Sequence, residues 1–109
     1  MYQVVVDEAK LAEIVRRLVD ALDPDKIILF GSRARGDFHG QSDVDLLIVK
    51  ATDKAPHERC GAAHLALRGI GVPTDILWYT PEEVDEWSEV SFHVATQATQ
   101  EGRVLYEKD

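Results

Sequence analysis

Cysteine, positive charge and long apolar runs are all scarce in this sequence. The single cysteine, Cys60, cannot form a disulfide within the chain, which fits a reducing compartment and predicts a cytoplasmic protein. No apolar run approaches the ~20 residues of a membrane-spanning helix, and the N-terminus has no basic flank, so neither a membrane span nor a signal peptide is expected. Twelve Lys and Arg against twenty Asp and Glu give a formal net charge of −8, which argues against a general nucleic-acid binder.

The rest of the composition is ordinary, and the apolar pattern predicts the fold class. A chain of 109 residues, 45% hydrophobic and 29% charged, is typical of one domain, expected over 1–109. Apolar runs predict strands at 26–30, 44–49 and 72–79, and a short edge strand at 103–107. Helices are predicted at 7–22, 32–36, 56–69, 80–87 and 90–101, the first from the apolar stripe Leu11, Ile14, Val15, Leu18, Val19 and Leu22. This order predicts an α/β fold in which helices cover a sheet.

The stretch GSRARGDFHGQSDVDLLIV, residues 31–49, follows the first predicted strand and carries the candidate chemistry. Gly31 and Gly36 suggest a phosphate-binding Walker loop, but Asp37 and Phe38 occupy the positions where that motif requires a lysine and a hydroxyl. The three-glycine dinucleotide fingerprint is also absent. Both nucleotide-binding motifs are therefore excluded.

Two aspartates, Asp43 and Asp45, stand at the start of the second predicted strand. Residues i and i+2 of a strand project to the same face, about 6–7 Å apart, and like charges placed in this way repel unless a cation lies between them. Carboxylate oxygens suit Mg²⁺, which completes its shell with substrate phosphates. Asp75, an acid within the third predicted strand, would complete a two-metal site if the second and third strands are neighbours.

The residues that precede the aspartates are candidates to hold phosphates. Gly31 allows the backbone to approach a phosphate, and a helix beginning after Ser32 would offer it free N–H groups. Arg33 and Arg35 would add positive charge close to a triphosphate. Ser32 and the two arginines also have purely structural interpretations. Ser32 could cap the N-terminus of a helix, and either arginine could pair with a surface acid such as Asp37.

The pattern Gly-Ser-x-Ala-Arg-Gly, followed by Ser-Asp-x-Asp-Leu and a later strand acid, resembles the signature of the DNA polymerase β-like nucleotidyltransferase superfamily. The closer resemblance is to its minimal nucleotidyltransferases, the antitoxins of the HEPN/MNT toxin–antitoxin pairs. It covers most of the chain, including a C-terminal EGRVLYE similar to the ending of that group. The resemblance implies a mixed β-sheet flanked by helices, which is the fold of the superfamily.

The resemblance also implies an activity, the transfer of AMP from ATP to a hydroxyl with release of pyrophosphate and with two Mg²⁺ ions expected. By position, Asp43 and Asp45 would hold both ions, and Asp75 would hold the catalytic ion and orient or deprotonate the acceptor. The implied nucleotide-binding residues are Gly31, Ser32, Arg33, Arg35 and Ser42. The implied partner is a HEPN-type toxin, which in some pairs is adenylylated on tyrosine.

Several alternatives stay open. The chain is expected to lack the C-terminal domain with which larger members of the superfamily hold their acceptor, so an acceptor delivered by a partner protein is expected, in a homo- or hetero-oligomer. One alternative is a catalytically silent antitoxin that blocks its partner by occlusion and whose nucleotide site is vestigial. Another is a regulatory module that binds ATP without turnover. Structurally, Asp43 and Asp45 could be a solvated strand end, and Asp75 a solvent-facing acid.

The remaining polar and aromatic residues are expected to serve structure. His57, Cys60 and His64 fall on related helical positions, but they lack a fourth ligand and the paired spacing of a zinc site. Trp78 is predicted to pack, although its proximity to Asp75 makes it a candidate to border a nucleotide. Residues 82–86 are predicted to form the solvated face of a helix. Packing is predicted for Ala62, Ala63, Leu65, Ala66 and Leu67.

Overall fold

The computed structural model describes residues 8–31, 44–87 and 102–108. These residues form α1 Glu8–Leu22, β1 Lys26–Phe30, β2 Val44–Val49, α2 Pro56–Ala66, β3 Thr74–Tyr79, α3 Pro81–Trp87 and β4 Arg103–Glu107. The helices predicted at 32–36 and 90–101 lie outside the described residues. No helix in the described part of the chain combines the length and the apolar character that crossing a membrane requires.

The four described strands form one mixed sheet in the order β3-β2-β1-β4. β1 pairs antiparallel with both β2 and β4. β2 and β3 are parallel neighbours, and α2 lies between them in the chain because a parallel pair needs a long crossover connection. The predicted α/β fold, with a mixed sheet flanked by helices and β4 at one edge, is confirmed.

The sheet is covered on both faces, which explains the uninterrupted apolar runs of β1 and β2. On one face, alternate residues of the strands form the main core with α1 and α2. On the other face, Ile28, Leu47 and Val49 form a smaller cluster, against which Val84 of α3 packs. The main core is composed of Leu11, Ile14, Leu18, Ile27, Leu29, Val44, Leu46, Ile48, Ala63, Leu67, Ile70, Val72 and Ile76.

Helix α2 protects the outer edge of β3. The carbonyls of Pro73 and Tyr79 face β2 and accept from its backbone, so the carbonyls of Ile76 and Trp78 point away from the sheet. Arg59 Nη1 donates to the carbonyl of Trp78 at 3.2 Å, and the Cys60 thiol donates to that of Ile76 at 3.3 Å. These side chains occupy acceptors that would otherwise be open to another strand.

Helix α3 begins with a capping box, in agreement with the predicted start at Thr80 and Pro81. The Glu83 N–H donates to Thr80 Oγ1 at 3.1 Å, and the Thr80 N–H donates to Glu83 Oε1 at 2.9 Å. Glu83 also accepts from both terminal nitrogens of Arg59, at 2.6 and 3.3 Å. The prediction that all of residues 82–86 form a solvated face is therefore wrong for Glu83, which binds a guanidinium that is only 6% exposed.

This arrangement predicts how stability depends on pH. Hydrogen bonds from Arg59, and then from the Thr80 backbone, lower the pKa of Glu83 below its ordinary value of 4.5. The ion pair therefore stabilises the fold fully above about pH 4.5, and the stabilisation is lost as the pH falls through the lowered pKa. Glu83→Gln should reduce the free energy of unfolding by about 1–3 kcal/mol at pH 7, and the difference from the wild type should shrink below pH 4.5.

Urea unfolding between pH 3 and pH 7 measures this difference. Glu86→Gln is the matched control, since Glu86 is an exposed acid of the same helix, and its effect should stay within about 0.5 kcal/mol at every pH. A Glu83→Gln effect that is equally large at pH 3 and pH 7 would contradict the role assigned to the ion pair.

Candidate functional site

Asp45 and Asp75 lie directly opposite each other on neighbouring strands. In the parallel pairing of β2 with β3, Asp45 is in register with Asp75, and adjacent strands are about 4.8 Å apart. The flanking residues of each strand, such as Leu46 and Ile76, belong to the main core on the other face. Both carboxylates therefore project from the same face of the sheet, the face that also carries Leu47.

The same end of the sheet receives the end of β1. Phe30 pairs with Asp45 across the antiparallel β1–β2 ladder, and Gly31 follows at once with a φ of 76°. Asp45 is half-buried, whereas Asp75 is exposed. Gly31, Asp45 and Asp75 thus converge where β1 ends and β2 and β3 begin, and the exposure of Asp75 leaves this point open to a ligand.

The chemistry of this pair fits a divalent cation. Two carboxylates on adjacent strands repel each other, and a bound cation removes the repulsion. Within the described part of the chain, no lysine or arginine forms an ion pair with Asp75. Hard carboxylate oxygens are the ligands that Mg²⁺ takes in sites it shares with phosphates. Among the described residues no group of three candidate metal ligands occurs, so a complete site needs a further ligand, and Asp43 precedes β2 by one residue.

Ser32, Arg33, Arg35, Ser42 and Asp43 lie outside the described residues. Their assigned roles in metal and nucleotide binding therefore stay predictions. Of the eight residues named from the sequence, Gly31, Asp45 and Asp75 are described, and they lie together at the same end of the sheet.

His57, Cys60 and His64 all lie on α2, and they do not form a group of three candidate metal ligands among the described residues. His57 and His64 are exposed on α2, whereas Cys60 is half-buried. Burial raises the pKa of the Cys60 thiol, the charge of Arg59 opposes that shift, and the charge of Asp75 adds to it. The thiol donates to the carbonyl of Ile76, which gives Cys60 a structural role at the outer edge of β3.

Trp78 does not border the carboxylate pair. It lies on the same face of β3 as Ile76, where it packs against the main core, and its indole N–H donates to the carbonyl of Lys50 at 3.0 Å. Because side chains alternate along a strand, Trp78 projects to the face opposite Asp75. The packing role predicted for Trp78 is therefore confirmed.

The chain belongs to the nucleotidyltransferase domain family, whose sequence pattern it matches over residues 8–106. It is therefore a nucleotidyltransferase, an enzyme class that generally uses a nucleoside triphosphate and a divalent metal ion. A relative from Methanocaldococcus jannaschii, named as a candidate protein adenylyltransferase, is 40% identical over 82 residues, which are 74% of this chain and 77% of the relative.

The fold of the chain is also similar to that of solved structures. A candidate nucleotidyltransferase from Sulfolobus solfataricus superposes with a TM-score of 0.66 at 22% identity, over 92% of this chain and 79% of that one. A toxin–antitoxin structure with AMP-PNP superposes with a TM-score of 0.65 at 21% identity, over 90% of this chain and 73% of that one. A variant of the toxin–antitoxin complex MntA–HpeT superposes with a TM-score of 0.63 at 21% identity, over 91% of this chain and 73% of that one. At these identities the likeness concerns the fold.

Proposed function

We propose that this chain transfers AMP from ATP to a hydroxyl, most simply a tyrosine hydroxyl, of a HEPN-type toxin and thereby acts as its antitoxin in the cytoplasm. The observation that carries the proposal is the register of Asp45 with Asp75 on one face of the sheet. Support for a protein acceptor comes from the 40% identical relative named as a candidate protein adenylyltransferase. Support for a toxin partner comes from the toxin–antitoxin complexes among the structural neighbours.

In the proposed reaction the acceptor oxygen forms a bond to the α-phosphorus of ATP, while the bond from that phosphorus to the oxygen bridging to the β-phosphate breaks. Pyrophosphate leaves, and the hydroxyl proton passes to the carboxylate of Asp75. Asp75 suits this role because it is the more exposed of the two described carboxylates, so an acceptor presented by another protein can reach it.

Asp45, with Asp43, would hold the divalent ions, and Asp75 would share the catalytic one. Mg²⁺ bound there would neutralise charge on the phosphates in the transition state. Gly31 and Ser32 would bind the β- and γ-phosphates, while Arg33, Arg35 and Ser42 would add contacts to the nucleotide. Asp45 is half-buried in a strand that is otherwise buried, and its backbone is fixed by pairing with β1 and β3.

Labelled ATP tests the reaction directly. The chain, mixed with a HEPN protein encoded beside it and with Mg²⁺, should transfer label from α-³²P-ATP to the toxin and none from γ-³²P-ATP. Asp43→Asn should abolish the transfer, because it removes one ligand of both proposed ions. Label arriving from the γ position would identify a kinase and overturn the proposal.

Toxin neutralisation and calorimetry, measured beside label transfer, separate the two alternatives. If Asp43→Asn and Asp45→Asn still neutralise the toxin while no label is transferred, the chain acts by occlusion. If calorimetry detects ATP binding but no pyrophosphate is released with the toxin present, the chain is a nucleotide-dependent regulator. Loss of both label transfer and neutralisation in the variants supports the enzyme.

A further inference from the structure

Gly31 leaves the space that the carboxylate of Asp45 occupies. A Cβ built at Gly31 would overlap Asp45 Oδ2 and would lie 3.1 Å from Asp45 Cγ and 3.4 Å from Asp45 Cβ. Carbon atoms in proteins are best packed about 3.5–4.0 Å apart. The carboxylate therefore occupies the space in which any other residue type at 31 would place its Cβ.

A methyl group added at Gly31 would displace the Asp45 carboxylate and leave the strands in place. The overlapping atom is the far end of the Asp45 side chain, which can rotate about χ1 into another staggered rotamer. The Asp45 backbone, in contrast, is fixed by pairing with Phe30 on one side and Asp75 on the other. A substitution at Gly31 would thus displace the Asp45 oxygens from the position that they occupy beside Gly31.

We propose that Gly31 is a positioning residue for the metal-binding carboxylate of Asp45, separate from any contact that its backbone makes with a phosphate. The inference rests on the proposed function in one respect, that Asp45 is a metal ligand. It deepens that function by assigning the glycine an effect on metal affinity in the absence of nucleotide. A glycine that served phosphate binding alone would change ATP affinity and leave the affinity for the metal untouched.

The chain provides matched controls for backbone strain. Gly69 and Gly71 each have a φ of 80°, close to the 76° of Gly31, and among the described residues nothing lies within 4 Å of a Cβ added at either position. Alanine is strained by a positive φ at all three sites. Only at Gly31 does the new Cβ also meet a carboxylate, so the comparison isolates that contact.

Binding of Mn²⁺ alone to the nucleotide-free chain, followed by water-proton relaxation, is the direct test. Gly31→Ala should weaken Mn²⁺ binding about 10–100-fold, the usual effect of losing a group that orients a metal ligand. Gly69→Ala and Gly71→Ala should bind Mn²⁺ as the wild type does. A Gly31→Ala chain with the wild-type dissociation constant would overturn the inference, even where its ATP affinity is reduced.

Urea unfolding gives a second readout that needs no metal. The shift of the unfolding midpoint caused by Gly31→Ala should be smaller in an Asp45→Ala background, where it should match the shift caused by Gly69→Ala. Equal shifts in both backgrounds would overturn the inference. If Gly31→Ala does not fold, folding of the Gly31→Ala/Asp45→Ala chain supports the contact, and failure of both chains to fold contradicts it.

The two proposals fail in different ways. A wild-type chain that neither binds Mn²⁺ nor transfers AMP would contradict the proposed function, while the urea comparison would still measure the contact between Gly31 and Asp45. A chain that transfers AMP, and whose Gly31→Ala variant binds Mn²⁺ normally, would retain the function and lose the inference.

Discussion

Asp45→Asn and Asp75→Asn should each reduce the rate of AMP transfer by about three orders of magnitude or more. Each substitution removes a charged oxygen from the proposed metal site, where a bound ion supplies several kcal/mol of transition-state stabilisation, and each 1.36 kcal/mol corresponds to about tenfold in rate. The loss should fall on kcat, because the ion interacts most strongly with charge that develops in the transition state. Single-turnover transfer of α-label to the toxin measures the chemical step.

Neither substitution should unfold the chain, which separates a catalytic defect from a structural one. Replacing Asp75, which lies opposite another carboxylate, removes repulsion in the metal-free protein, so the free energy of unfolding of Asp75→Asn should stay equal or rise by up to about 1 kcal/mol. Mg²⁺ should raise the Tm of the wild type and have less effect on either variant. Asp53→Asn is the charge-matched control, an exposed acid beyond the opposite end of β2. Transfer at the wild-type rate by Asp45→Asn would contradict the proposed site.

The elements that the sequence predicts best are those whose local pattern has one explanation. The strands over 26–30 and 44–49 agree with β1 and β2 to the residue, because a short apolar run is stable as a strand covered on both faces. The spacing of Leu11, Ile14 and Leu18 likewise predicts the buried face of α1. The third strand begins at Thr74 and not at residue 72; Pro73, which has no N–H to donate, immediately precedes it.

The candidate site depends on strand order, which local patterns do not determine. The sequence predicts that Asp45 and Asp75 each lie on a strand, but only the placement of β3 beside β2 brings them opposite each other. A one-residue change of register would turn one carboxylate to the other face. The overlap of a Gly31 Cβ with the Asp45 carboxylate is likewise a consequence of the β1–β2 pairing. No spacing in the sequence indicates it.

Arg59 illustrates a different limit. An arginine in a polar helix is normally expected to be exposed, yet this one is buried and binds the carbonyls of Lys54 and Trp78 as well as Glu83. These partners lie on three separate segments, and the interaction exists only after α2 and α3 have packed at the end of β3. Long-range polar contacts of this kind leave no periodic signal in the sequence.

Of the described helices, α2 is the one whose buried residues are hardest to predict from the sequence. Its apolar residues do not form a single stripe: Ala63 is fully buried, whereas Leu65 is 68% exposed and Ala62 is exposed. The prediction of a packing role is therefore wrong for Ala62 and Leu65. Leu67 does pack, at 4% exposure, immediately beyond the end of the helix.

Two helical leucines, Leu18 and Leu65, should differ strongly in their contribution to stability. Leu18 of α1 is fully buried in the main core, and Leu65 of α2 is exposed. Leu18→Ala should lower the free energy of unfolding by about 3–4 kcal/mol, since it removes buried methyl groups and leaves a cavity. Leu65→Ala should change it by less than about 0.5 kcal/mol. Because a domain of this size is stable by only about 5–15 kcal/mol, urea titration will separate the two variants clearly. Equal destabilisation would mean that Leu65 is covered in solution, and that α2 carries an interface on its exposed side.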